Sequence, residues 1–320
     1  MFKNIIGQEF AVSLLKKALE SEKVAHAYLF LGPAGVGKSL LAAEFAKALN
    51  CEKKDAAPCD ECVSCVKINK KIHPDVNWFY PEGRSSQIGV DLIRKLEKTA
   101  LFKPFEGRNK VYVMDGADCM TEEAANRLLK TLEEPPEDTI LILLAANFFK
   151  LIPTIVSRCQ RINFFSLKEK EITLELRRRY GLDERRALCL SRFSEGSFGK
   201  AVEAVEQQAL TKRDRVVDEF IAPKRLGYED SWLYEETRED INKILDALAL
   251  YFRDLLVFNL SGDPALLINS DKEDHIKRIS QLYSAERLRR ILEKIADTQE
   301  QIRFNANIKI ALSCMRLGIT

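Results

Sequence analysis

Gly32-Pro33-Ala34-Gly35-Val36-Gly37-Lys38-Ser39 decides how the rest of this chain is read. The stretch follows the apolar run at 28–31 and precedes a segment in which Leu41, Phe45, Ala48 and Leu49 recur at helical spacing. Strand, glycine-rich turn and amphipathic helix therefore come in succession. In that setting the turn fits the phosphate-binding pattern G-x-x-x-x-G-K-[ST]. Gly32, Gly35 and Gly37 let backbone N–H groups turn towards a phosphate, the helix opening near Gly37 directs its positive end at it, and Lys38 adds a point charge. Ser39 would complete the site by holding Mg²⁺. The expectation is a nucleoside triphosphate site, ATP with Mg²⁺; the plain alternative is a glycine-rich turn without a ligand.

Working outward, 320 residues and 46% hydrophobic content predict two or three domains with packed cores. Fifty Lys and Arg against 48 Asp and Glu give a formal charge of +2, which excludes a global basic field as a route to nucleic acid. Any DNA contact must be local or belong to partners. The start of the chain carries no long apolar region, and the longest apolar run, 140–146, is too short to span a bilayer. A cytoplasmic location without membrane contact is expected.

Four of the eight cysteines fall in the pattern Cys51-x7-Cys59-x2-Cys62-x2-Cys65, flanked by Pro58 and by Lys53, Lys54, Asp55, Asp60 and Glu61. Thiolates two residues apart in a tight turn can reach one tetrahedral ion, and four of them close its shell. The reading is a structural Zn²⁺ site that replaces a core so short and polar an insertion could not build. Two disulfides or free thiols are the alternative, disfavoured in a reducing compartment. Cys119, Cys159, Cys189 and Cys314 read as small core residues.

A second half of the nucleotide site follows. A helix is predicted around 90–99 and a turn at 104–108, and then Val111-Tyr112-Val113-Met114-Asp115 reads as a buried strand ending in a carboxylate. Asp115 would orient the Mg²⁺ water shell opposite Ser39. Working ATPases of this architecture carry a glutamate next, where this chain has Gly116. A helix with Thr121 as N-cap, Glu122 and Glu123 in its first turn and Ala125, Leu128, Leu129 and Leu132 on one face ends at Pro135-Pro136. The continuous apolar run 139–144 suits the middle of a parallel sheet, and Ala146 and Asn147 stand where a polar sensor would probe the nucleotide.

These residues, together with Ile6-Gly7-Gln8, His26-Ala27-Tyr28, the segment from Ala125-Asn126-Arg127 to Glu134-Pro135-Pro136 and Ser157-Arg158-Cys159, resemble one family over about the first half of the chain: the clamp loaders of DNA replication, within the AAA+ ATPases. The resemblance implies that Arg158 is an arginine finger acting in trans on the ATP of a neighbouring subunit. It also implies a lid-domain arginine after a Gly-Ser pair, where Gly196-Ser197-Phe198-Gly199-Lys200 places Gly199. With Gly116 and Gly199 at those positions the chain resembles the non-motor subunits of the bacterial polymerase III clamp loader, with little ATPase activity of its own. Implied partners are gamma/tau-type and delta-type subunits in a hetero-oligomeric ring, and through that ring the sliding clamp and primed DNA.

The resulting architecture is an α/β AAA+ P-loop domain at 1–164 with the four-cysteine zinc insertion at 51–65, a small helical lid domain at 165–206 and an all-α collar domain at 207–320. Arg177, Arg178, Arg179, Arg185 and Arg186 in the lid read as a solvated face. Stripes through Ile241, Leu245, Leu248, Phe252 and Leu255, through Leu288, Ile291, Leu292 and Ile295, and through Ile308, Leu312 and Met315 fit either a ring-forming collar or the core of a bundle. Two rival functions are an active gamma/tau-type motor and a zinc-bearing DNA-binding regulator.

Overall fold

The computed structural model describes residues 2–53, 58–83, 86–221 and 232–319. Lys54 and Asp55 of the cysteine insertion and part of the 207–320 region lie outside the described residues. The chain divides into two compact units, one formed by 1–171 with 196–199 and the other by 172–195 with 200–320.

The first unit runs α1 (Glu9–Glu20), β1 (Ala27–Leu31), α2 (Lys38–Asn50), α3 (Val63–Asn69), β2 (Val76–Phe79), α4 (Val90–Ala100), β3 (Lys110–Asp115), α5 (Glu122–Glu133), β4 (Thr139–Ala145), α6 (Pro153–Val156) and β5 (Gln160–Asn163). The five strands form one parallel sheet in the order β2-β3-β4-β1-β5. All seven residues of the continuous apolar strand β4 are buried, and it takes the central place expected of such a run. Alternate side chains serve opposite faces. Tyr28, Phe30, Ile140, Ile142, Val111 and Val113 meet α1, α2 and α3, while Ala27, Leu29, Leu141, Leu143, Tyr112 and Met114 meet α4, α5 and α6. Thr121 caps α5 by accepting the Ala124 N–H at 3.2 Å, as its position predicts. The turn before β3 is built by Asp75, whose carboxylate accepts the N–H groups of Phe105, Glu106 and Gly107 at 2.7–2.8 Å.

The second unit contains most of α7 (Glu169–Tyr180) and α9 (Phe198–Glu206), with α8 (Glu184–Phe193), α10 (Ala209–Ile221), α11 (Arg238–Ser261), α12 (Glu273–Ser280), α13 (Ala285–Arg303) and α14 (Ile308–Ile319). The stripes left open between ring and bundle point inward: Ile241, Leu245, Leu248, Phe252, Leu255, Leu288, Ile291, Ile295, Leu312 and Met315 are all buried in this unit's own core. The lid arginines are exposed, with Arg178 and Arg179 both paired to Glu175. Of the four scattered cysteines Cys189 is buried and Cys119 and Cys159 are half-buried, but Cys314 is exposed on α14 and is not a core residue. Among the described residues no helix is long and apolar enough to cross a membrane.

Candidate nucleotide site and cysteine cluster

Because β1 and β3 flank β4 in parallel, the loop after Leu31 and the carboxylate ending β3 emerge at the same edge of the sheet. This C-terminal edge is where open α/β sheets bind ligands. The structure brings Gly32, Gly35, Gly37, Lys38, Ser39 and Asp115 together there. Gly35 and Gly37 have left-handed φ of 72° and 103°, and Gly37 caps α2, so a side chain at either would strain the turn. Lys38, 9% exposed, donates from Nζ to the carbonyls of Gly32 at 2.5 Å and Pro33 at 2.6 Å. Burial pulls its ammonium below the ordinary lysine value, against the pull of Asp115 and Asp118. Ser39 Oγ donates to Asp115 Oδ2 at 2.7 Å, so the hydroxyl and carboxylate that could hold a cation already touch.

Two further glycines, Gly116 and Gly199, stand beside the site. Gly116 has φ of 89°, and a β-carbon there would lie 2.8 Å from Pro81 Cγ. Gly199 donates its N–H to the Gly35 carbonyl at 2.9 Å, and a β-carbon on it would lie 2.9 Å from Gly35 Cα. Each position is shaped for glycine. Ala146 is apolar and exposed, and the Asn147 carboxamide oxygen caps the following turn by accepting the Phe149 N–H at 2.9 Å.

Arg158 lies elsewhere. It precedes β5 by two residues, whereas the phosphate-binding loop follows the end of β1, its parallel neighbour, about 16 Å of strand away. Its guanidinium pairs with Glu133 at 2.6 Å and donates to the Thr154 carbonyl at 3.0 Å.

The four cysteines form their own cluster at the far end of α2, where Cys51 is the C-cap. Their sulfurs all lie within 4.8 Å of one another, with Cys51 to Cys62 and Cys59 to Cys65 both at 4.0 Å. A tetrahedral Zn²⁺ with 2.3 Å bonds needs sulfurs about 3.8 Å apart, whereas a disulfide needs about 2 Å. The cluster therefore fits Zn²⁺ and holds no disulfide. Cys59 is pulled down to about 6 by N–H groups of Cys62 and Glu61, and burial pushes Cys51 and Cys65 up. Divalent charge would offset that burial penalty and release protons on binding.

Three residues make contacts in these sites that their local sequence does not announce. Gln8 pairs with both backbone groups of Phe165, donating at 2.6 Å and accepting at 3.1 Å. Lys47 and Asp60 join α2 to the cysteine turn. Their partners are distant in sequence, so spacing alone could not reveal them.

Comparison with known proteins places this geometry in a family. Family models for DNA polymerase III, delta subunit, and for its C terminal match residues 7–168 and 207–317. DNA polymerase III subunit delta' of Bacillus subtilis (strain 168) is 29% identical over 94% of this chain and 93% of its own. DNA polymerase III subunit gamma of Buchnera aphidicola subsp. Baizongia pistaciae is 32% identical over 79% of this chain and 69% of its own. A solved gamma subunit-related protein of Thermotoga maritima aligns with 95% of this chain and 98% of its own at 19% identity, with a TM-score of 0.48. With the first of these models matching half of its length, the chain belongs to the DNA polymerase III delta-subunit family, on a parallel α/β sheet.

Proposed function

We propose that this chain is a non-motor, delta-prime-type subunit of the bacterial replicative clamp loader, which assists ATP-dependent loading of the sliding clamp onto primed DNA. The observation that carries the reading is the pair Gly116 and Gly199. Water activation and γ-phosphate charge stabilisation supply most of phosphoryl-transfer catalysis, and a backbone that admits only glycine has no room for the side chains that do this work. The binding half remains. Gly32, Gly35 and Gly37 would present N–H groups to the phosphates, Lys38 would exchange its two carbonyl partners for phosphate oxygens, and Ser39 and Asp115 would hold Mg²⁺. ATP supplies the reactive phosphoryl group in the complex; in this reading the chain binds it without turning it over.

Arg158 donates an arginine finger to a neighbouring ATPase subunit. Its place two residues before β5, a strand's length from the chain's own loop, supports action in trans. The Cys51, Cys59, Cys62 and Cys65 site holds structural Zn²⁺. Residues 165–206 form the lid and 207–320 the collar, a division supported by family matches that end at 168 and resume at 207. Partners are gamma/tau-type and delta-type subunits, in the cytoplasm. A gamma/tau-type motor is the second reading: subunit tau of Bacillus subtilis (strain 168) is 28% identical over 97% of this chain and 59% of its own. Arg158→Ala tests the leading reading. The variant should join a reconstituted complex yet depress clamp- and DNA-stimulated ATPase, by roughly 10³–10⁵ at the one site it faces and partially overall. Unchanged rates in a verified complex would make Arg158 an ordinary surface residue.

A further inference from the structure

We propose that α2 is a strut through which metal ligation at the cysteine cluster orders the phosphate-binding loop, with Lys47 as the coupling residue. The two sites cap one helix. Gly37 is its N-cap and Cys51 its C-cap, 13 helical residues or about 20 Å apart. Ten of those residues are buried, and Val36 of the loop packs in the same core as Cys51, Cys62 and Cys65. An interior packed this closely transmits a shift at one end rather than absorbing it.

Lys47 makes the connection specific. It is 1% exposed and its ammonium pairs with Glu44, 2% exposed, at 2.8 Å and with Asp60. Asp60 sits between the ligands Cys59 and Cys62 in a left-handed backbone turn, φ 61°, and also accepts from Asn69 at 3.3 Å. Glu44 in turn accepts from Asn4 at 3.3 Å. Four thiolates around a divalent ion leave excess negative charge at the negative end of the helix dipole, and Lys47 is the buried cation in that last turn. Loss of the ion would free the Cys59–Cys62 turn and with it Asp60, whose carboxylate is 46% exposed, leaving the buried Lys47 ammonium to Glu44 alone. Gly37 offers no side-chain cap, and beside the ties from Gly199 to the Gly35 carbonyl and from Gln8 to that of Val36, the loop is held by Lys38, a residue of α2 itself, at the Gly32 and Pro33 carbonyls. Coupling of this kind is reciprocal in affinity: what binds at the ordered loop must also tighten binding of the metal.

The nucleotide arm rests on the proposed phosphate site, so the primary measurement does not use nucleotide. Hydrogen exchange across 32–41 is compared in the full chain, Zn²⁺-loaded and chelator-stripped, for wild type, Lys47→Met and Asp60→Asn, with metal content measured in each. Stripping wild type should speed loop exchange about 5- to 150-fold, the ordinary range for coupled sites. In loaded Lys47→Met and Asp60→Asn the loop should already exchange fast and respond little to stripping. Should Lys47→Met not fold, Asp60→Asn carries the test alone. Loop exchange indifferent to metal in wild type, or equally responsive in both variants, overturns the proposal. As a second arm, ATP with Mg²⁺ should lower the share of Zn²⁺ that a competing chromophoric chelator holds at equilibrium in wild type and not in Asp60→Asn. Metal-dependent loop exchange with no ATP effect would retain the strut and discard the nucleotide reading.

Discussion

Two buried cations, one from each compact unit, are held in opposite ways. In the α/β unit Lys38 is held by two backbone carbonyls of its own loop, neutral acceptors that a phosphate could displace. In the helical unit Arg213, 2% exposed, takes Asp271 with two nitrogens at 2.9 and 2.6 Å, Asp214 at 2.6 Å and the Asn269 amide at 2.8 Å. Asn269 is itself fixed by Asp254, which is fully buried. Burial alone does not mark a functional cation. The nature of its partners separates the two: carboxylates fixed by further hydrogen bonds make a fastener, and displaceable carbonyls in a glycine loop suit the receptor proposed above.

The sharpest way to break this comparison is Arg213→Met. Removing Arg213 leaves the Asp271 carboxylate, 10% exposed, without its guanidinium, while Asp214 keeps Lys272 at 2.8 Å, at a cost of about 3–5 kcal/mol. Urea unfolding of the helical unit measures it, and a loss under about 1 kcal/mol would put Arg213 in the same class as Lys38. The same network sets a pH dependence. Burial raises the Asp271 carboxyl, but Arg213 outweighs it and holds the group below the ordinary carboxylate value. Its stabilisation is therefore present above the unfolded value of about 3.9 and lost as pH falls through the lower folded one. Wild type should lose helical stability below about pH 4, and Asp271→Asn should flatten that part of the profile while lowering stability at neutral pH.

Gly116→Ala should cost less, about 1–3 kcal/mol, from a left-handed backbone and the approach to Pro81. Thermal unfolding reports it; no loss would mean that the position tolerates a side chain and that the absent glutamate says nothing about hydrolysis. The smallest stability effect belongs to Lys38→Ala. Carbonyl partners left by the lysine can turn to water, so unfolding should shift by less than about 1 kcal/mol while binding of a fluorescent ATP analogue is lost. A large destabilisation with binding intact would reverse the assignment of receptor and fastener.

Much of the candidate site was legible because its signals are local. The loop glycines, Lys38, Ser39, the strand ending at Asp115, the Thr121 cap and the Cys spacing all lie within a few residues of the features that identify them. The continuous apolar character of β4 even predicted its central place. Strands β2 and β5 were not legible, being four residues each and only partly buried at the sheet's edges, where side chains carry little pattern. Periodicity found the stripes of α11, α13 and α14 but could not say that they face their own unit's core.

By itself, then, the sequence determined the strand, glycine loop and helix at 28–49, the strand ending at Asp115 and the clustering of Cys51, Cys59, Cys62 and Cys65, since each depends on spacing along one segment. Tertiary structure alone decided the pairings between segments: Ser39 with Asp115, Arg158 with Glu133, Lys47 with Asp60, Gly116 against Pro81 and Gly199 against Gly35. Such contacts arise only after strands and helices have packed, when burial forces each polar group to find a partner and each close approach to find a residue without a side chain.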